Sequence, residues 1–195
     1  MPPKSKCTRE QIIDAAATIV RSGGMSALTA RSLGEKLSCS ARPIFTVFAS
    51  MDEVKDEVYK YARRVYSEYV ASGLKEDIAF KGVGKAYIGF AEKEPQFFKE
   101  LFMRVDGEPY SQGNALVGID ENFDDILKSI EDGYGLDRAD AQKIYFHMWV
   151  YTHGLAVMIA TGVCSFGADE ISTMITEMFH GVLTEITAGG KDDRS

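Results

Sequence analysis

The side chains best suited to chemistry in this 195-residue chain are hydroxyls and cations gathered between residues 29 and 55. Thr29, Ser40 and Thr46 can offer hydroxyls to phosphates or base edges, and Arg31, Arg42 and Lys55 add positive charge among them. Arg42 stands near the start of a short helical stretch and is the expected base reader, because a bidentate arginine–guanine pair is the commonest specific contact and is worth ~1–3 kcal/mol. Arg31 and Lys55 are expected beside the nucleic-acid backbone. The chain also turns at Thr29-Ala30 and at Ser40-Ala41-Arg42-Pro43, where backbone N–H groups at helix starts can hold phosphate. Lys4, Lys6 and Arg9 would extend this chemistry as a basic arm. All of it points to recognition of a polyanion.

Catalytic patterns are missing by comparison. Glu92, Glu94, Glu121, Asp124 and Asp125 fall in amphipathic contexts and read as solvated faces. The run GVGKAYIG, Gly82 to Gly89, lacks the spacing of a phosphate-binding loop. His147, His153 and His180 match no metal-ligand motif. Cys7, Cys39 and Cys164 are too few and too scattered for a disulfide framework or a zinc cluster. The chain is therefore read as a non-enzyme with no metal and no cofactor.

The elements that must position these residues are helices. Thr8 and Gln11 form a capping box ahead of the stripe Ile12, Ile13, Ala16, Ala17 and Val20, and Gly23-Gly24 ends that helix. A second helix is predicted from about Thr29 to Leu37. Ser38-Cys39-Ser40 forms a turn, and Ser40 can cap a third helix reaching Phe48, with Pro43 tolerated in its first turn. Ser50 and Glu53 open a long connecting helix over residues 51–72, with Val54, Val58, Tyr61, Val65 and Tyr69 as its stripe. Five more helices follow, with cores Ile78–Lys93, Gln96–Met103, Asn114–Asp132, Arg138–Thr161 and Asp169–Thr187, and a loop over RVDGEPYSQG, Arg104 to Gly113. The fold expected is all-α with about nine helices. A helix-turn-helix domain at residues 1–50 would precede a larger helical domain at residues 51–195.

Charge divides along the same line. Residues 1–64 hold eleven Lys and Arg against seven Asp and Glu, a net of +4, while the remainder carries -11 within the overall -7. A basic head on an acidic body is the distribution expected when only the head meets a polyanion. No Asp, Glu, Lys or Arg occurs between Lys143 and Asp169. That run is long enough to span a bilayer, but interspersed His, Thr, Ser and Gly mark it as a helix buried by protein. With no signal-peptide core at MPPKSKCTRE, a cytoplasmic location away from membranes is expected.

Over about fifty residues, Thr8 to Val58, the sequence resembles the DNA-binding domain of the tetracycline-repressor family. REQIIDAAATIVRSGG matches its first helix, Thr29 the start of its second, and Leu33-Gly34 its Ile-Ala pair. Ser38-Cys39-Ser40 stands at its Gly-Val-Ser turn. Phe45-Thr46-Val47-Phe48 matches its recognition signature, and Ala49 to Val54 the acidic helix start that follows. Beyond Val58 the phrase WVYTHGLAVMIATG looks like the penultimate helix of many members. Four positions depart from the pattern. Phe45 replaces a Tyr whose hydroxyl would meet phosphate, Met51 a frequent Lys, Val47 a frequent His, and Ser38 the turn glycine. Phe45 and Phe48 are expected to serve the core more than the contact surface.

The resemblance implies a homodimer of transcriptional regulators on a palindromic DNA operator, most simply a repressor released by an unidentified small-molecule effector. The expected DNA-contacting set is Thr29, Ala30, Arg31, Ser40, Ala41, Arg42, Pro43, Phe45, Thr46 and Lys55. The last helix carries Ile171, Met174, Ile175, Met178, Phe179, Val182, Leu183 and Ile186, a stripe wide enough to pack on more than one neighbour. With the apolar helix before it, it would form a four-helix seam with a second copy. A close helix crossing would explain Gly154. The effector pocket is expected among middle-helix aromatics, with Phe98, Phe102, Tyr110, His147, Trp149 and Tyr151 as candidates. The competing reading is a helical dimer that has lost DNA binding and acts through a protein partner.

Overall fold

Thr8 opens the first helix as its spacing predicts: its hydroxyl accepts from the Gln11 N–H at 3.2 Å, and the Gln11 side chain returns the bond to the Thr8 N–H at 3.0 Å. The computed structural model describes residues 7–103 and 122–192, and every regular element among them is helical. The α-helices are α1 (Arg9–Gly23), α2 (Ala30–Lys36), α3 (Met51–Gly73), α4 (Ala79–Lys93), α5 (Pro95–Phe102), α6 (Phe123–Tyr134), α7 (Arg138–Ala160) and α8 (Ala168–Asp192). Single 3-10 turns occupy Met25–Ala27 and Ile44–Thr46. The predicted loop from Arg104 to Gly113, with Tyr110, and the start of the helix predicted from Asn114 lie outside the described residues, as do Lys4 and Lys6.

The chain forms two compact units. One comprises Met1–Val65 with Glu94–Arg104, the other Tyr66–Lys93 with Val105–Ser195. The border expected at residues 50 and 51 lies inside the first unit, α3 is shared between the two, and α5 belongs with the head. In the head, Ile12, Ala16, Val20, Leu28, Leu33, Ile44, Phe48, Val54, Val58, Phe97 and Phe98 form the core. Burial stabilises each of the larger side chains by ~1.5–3 kcal/mol. α5 packs on α1, and Arg21 ties the joint together. Its Nε donates to both Glu94 carboxylate oxygens at 3.1 and 2.9 Å, with the guanidinium 5.0 Å from the Phe97 ring centre.

Two sequence expectations change here. The stripe of α3 begins at Val54 and Val58 but continues through Ala62, Tyr66 and Val70, not through Tyr61, Val65 and Tyr69. Steps of four residues advance roughly 40° beyond a full turn, so the buried face winds around the helix as α3 leaves one core and enters the other. The predicted third helix is also not α-helical. Ile44 N–H bonds the Ala41 carbonyl at 3.1 Å and Thr46 N–H the Pro43 carbonyl at 3.2 Å. Two longer-range bonds, Phe45 N–H to the Ala41 carbonyl at 3.4 Å and Phe48 N–H to the Ile44 carbonyl at 3.0 Å, are not enough to extend the turn into an α-helix. Pro43 disfavours α backbone at Arg42 before it, and the turn has no side-chain cap. Thr46 Oγ1 also donates to the Pro43 carbonyl, at 2.6 Å.

The body unit is built mainly on α4 against α7, with α6 and α8 flanking both. The C-terminal end of α3 meets the first turn of α4 backbone to backbone. A Cβ at Gly73 would lie 2.6 Å from the Gly82 carbonyl oxygen, so a side chain there would force the helices apart. Gly135, at φ 64°, closes α6 in the left-handed conformation, and Asp137 caps α7 by accepting from Asp140 N–H at 2.9 Å. Arg138 reaches back to Asp124 at 2.8 Å. A Cβ at Gly154 would meet nothing within 4 Å, so no helix crossing among the described residues explains that glycine. Among the described residues no helix is long and apolar enough to cross a membrane, and no group of His, Cys, Asp or Glu is arranged to hold a metal.

Candidate functional site

In the head, α2 and the turn after it are fixed by short-range chemistry. Thr29 caps α2, its Oγ1 accepting from the Ser32 N–H at 3.1 Å, while the Ser32 hydroxyl accepts from the Thr29 N–H at 3.0 Å. The chain leaves α2 through Ser38, whose φ of 53° is left-handed backbone at the position where the resembled turn carries glycine. Cys39 N–H bonds the Gly34 carbonyl at 2.9 Å, and a Cβ at Gly34 would lie 2.9 Å from the Cys39 oxygen. That contact is the physical reason for a glycine in the Leu33-Gly34 pair. Burial, followed by the neighbouring Cys7 thiol, pushes the Cys39 thiol pKa up.

This frame points Leu33, Ile44 and Phe48 inward and leaves Thr29, Arg31, Ser40, Arg42, Phe45 and Thr46 exposed. Ala30, Ala41, Pro43 and Lys55 are half-buried beside them. Arg42 has no ion pair among the described residues. By contrast, Arg31 pairs with Glu35 at 2.9 Å and Lys55 with Asp52 at 3.1 Å. Phe45, placed by the sequence both in the core and in the contact set, is 46 % exposed and so lies outside the core, whereas Phe48 is fully buried. Arg9 is likewise not part of a free arm. Its guanidinium lies 4.4 Å from the Phe48 ring centre and pairs with Glu53 at 3.2 Å and Glu57 at 3.3 Å. The Ala49 N–H, ahead of Arg9, holds the Glu53 carboxyl below its ordinary pKa.

The body unit encloses a partly open cavity of about 200 Å³. Its walls follow helical period. α4 supplies Phe80, Lys81, Val83, Gly84 and Tyr87, α7 Tyr145, Met148, Trp149 and Thr152, and α8 Ile175, Thr176, Phe179 and His180. Tyr66 of α3, Tyr134 at the end of α6 and Ile78 complete it. Aromatic contacts set the walls: Tyr134 against Phe179 at 4.6 Å and Phe80 against Tyr145 at 6.0 Å between ring centres. Behind them His153 stacks on Trp149 at 5.1 Å and shares a 2.9 Å hydrogen bond with the Tyr87 hydroxyl. Burial lowers the His153 pKa and raises that of Tyr134.

Of the residues predicted for the effector pocket, Trp149 lines this cavity. His147 and Tyr151 do not, because residues two positions away on a helix face elsewhere. Phe98 and Phe102 pack together in the head unit with ring centres 5.3 Å apart, and Phe98 is fully buried there. Stepping three or four residues from Trp149 reaches Tyr145 and Thr152, both cavity residues, so helical period was the signal that choosing residues where loop and helix could converge passed over.

Among the described residues the chain is all-helical, with short helices and a tight turn in the head unit and an apolar cavity in the body unit. A family profile described as tetracyclin repressor-like, C-terminal domain, matches residues 80–190. That is more than half of the chain, and the protein belongs to this family of transcriptional regulators. It is also 23 % identical over 197 aligned residues, covering 95 % of this chain and 86 % of the other, to an uncharacterized HTH-type transcriptional regulator of Mycobacterium tuberculosis.

Proposed function

We propose that the protein is a cytoplasmic homodimeric repressor that binds a palindromic DNA operator through its head and is released when a small molecule occupies the body cavity. The observation that carries this reading is Arg42. It is exposed and without an ion pair among the described residues, on a segment held in place by buried Ile44 and Phe48. Thr29, Ser40 and Thr46 lie exposed on the elements flanking the same turn. The two heads of a dimer would engage half-sites ~34–36 Å apart, or a multiple of that spacing. Exposed apolar side chains on the last two helices, Val150 on α7 and Met178 on α8, support a seam between copies. Gly154 and Gly181, where a Cβ would meet nothing, lie on the same two helices. Effector in the cavity would favour a dimer whose heads no longer match the operator, and by linkage DNA must weaken effector binding by the same factor.

The test is binding of the purified protein to a labelled duplex from its own upstream region, against scrambled DNA, over a salt series. Sequence-selective binding with a steep salt slope is expected. Substituting both Arg42 and Thr46 with Ala should cost at least about fivefold in operator affinity, in line with ~1–3 kcal/mol for a lost base contact. One observation favours the second reading, a dimer acting through a protein partner: the exposed Phe45 ring offers an apolar group and no hydroxyl where DNA contact is proposed. Operator binding unaffected by the double substitution would favour that alternative.

A further inference from the structure

The cavity has an electrostatic character that the rest of its unit does not share. The chain beyond residue 64 carries twenty-two carboxylates, yet none lines the cavity. The charged side chain at its wall is Lys81, half-buried in the first turn of α4 and without an ion pair among the described residues. One turn further along the same helix, Lys85 is held by Glu76 at 2.7 Å. Two half-buried lysines on one helix are therefore treated differently: Lys85 has an acidic partner, and Lys81, at the cavity wall, has none among the described residues. His180, exposed on α8, lines the cavity as a further possible donor, and the indole N–H of Trp149 makes no hydrogen bond among the described residues. The other lining side chains are apolar apart from the hydroxyls of the tyrosines, Thr152 and Thr176. An apolar space of about 150 Å³ takes a single benzene ring, so a cavity of about 200 Å³ fits one ring and a short chain.

Resting on the effector reading above, we infer that the cavity selects a small apolar carboxylic acid, with its hydrocarbon body among the aromatics and its carboxylate on the Lys81 ammonium. A partly desolvated ammonium–carboxylate contact is a charge-assisted pair, stronger than a neutral hydrogen bond. A neutral molecule of the same shape leaves the Lys81 charge uncompensated, while a cationic one meets repulsion.

Trp149 is the chain's sole tryptophan, so its fluorescence reports occupancy directly. The experiment titrates the full-length protein with 4-phenylbutanoate and with 4-phenylbutan-1-ol, by tryptophan fluorescence and calorimetry. The acid is expected to bind about tenfold tighter than the alcohol. Lys81→Met should bring the two within twofold, and Lys81→Arg should keep the preference. Equal binding of acid and alcohol to the unaltered protein overturns the inference and leaves the cavity a ligand site of other specificity. A preference that survives Lys81→Met overturns it as well. If neither probe perturbs Trp149 or releases heat, both the inference and the effector reading fall. If the acid binds through Lys81 but operator affinity does not change, the inference stands and the release mechanism is the part that fails.

Discussion

Gly84 allows the cavity to be tested without breaking the fold. It lies within α4 and on the cavity wall. Glycine inside a helix costs about 1 kcal/mol relative to alanine. A Cβ at Gly84 would sit 3.5 Å from Ile175 Cδ1 and 3.6 Å from Thr152 Cγ2, both ordinary contact distances. Gly84→Ala should therefore relieve the helix penalty and bury one methyl group without a clash, a gain of roughly 1–2 kcal/mol. For a chain of this length that raises Tm by about 2–4 °C per kcal/mol. The same methyl narrows the space that a bound molecule would use, so affinity for 4-phenylbutanoate should fall severalfold while the protein becomes more stable. Circular dichroism melting at 222 nm reads the first effect and calorimetric titration the second. A lowered Tm would show that α4 is packed against α7 and α8 more tightly than these distances allow. A raised Tm with unchanged affinity would remove Gly84 from the ligand wall.

Ser38→Gly should stabilise the head by about 1 kcal/mol, since φ of 53° strains a residue with a Cβ; an unchanged or lowered melting temperature would contradict the strain. His153 has its pKa held below its ordinary 6.5 by burial, so the unfolded chain binds the proton more readily than the folded one. Its contribution to stability is complete above about pH 6.5 and is lost as pH falls through the depressed value. His153→Gln should flatten the pH dependence of Tm between pH 7 and 5, and an unaltered slope would refute this. Val150→Arg places a charge at a 51 % exposed apolar position on α7. Sedimentation velocity should then show a monomer, and an intact dimer would place the seam elsewhere.

Much of this was legible in the sequence where local chemistry decides the outcome. Thr8 with Gln11 and the glycine-to-serine exchange at Ser38 act within a few residues and appear in the structure as their chemistry dictates, and Ser50 accepts from the Glu53 N–H although the Glu53 carboxylate returns its bond to the Ala49 N–H instead. The recognition segment was misread because Pro43 was judged by its own position and not by its effect on Arg42 before it. The α3 stripe was misread because a helix serving two cores does not keep one buried face. The cavity depends on which faces of α4, α7 and α8 meet, information that lies in no single segment. Even so, stepping by helical period from Trp149 would have found one wall. Lys81 carried no sequence signal, since only the contrast with Lys85 and Glu76 sets it apart.

The head unit is discontinuous, and this bears on the order of its synthesis. Its first stretch leaves the ribosome up to Val65, but Glu94, Phe97 and Phe98 follow only after residues 66–93. Until then Arg21 lacks its carboxylate, and Gly24 and Met25 lack the side chains of Gln96 and Glu100 beside them. A nascent head must therefore wait, held by α1 to α3 alone, until a loop containing all of α4 closes behind it. Closing such a loop carries an entropic cost that grows slowly with its length. A chain cut after residue 65 should accordingly melt below the intact head, and supplying α5 as a separate peptide should restore part of the difference.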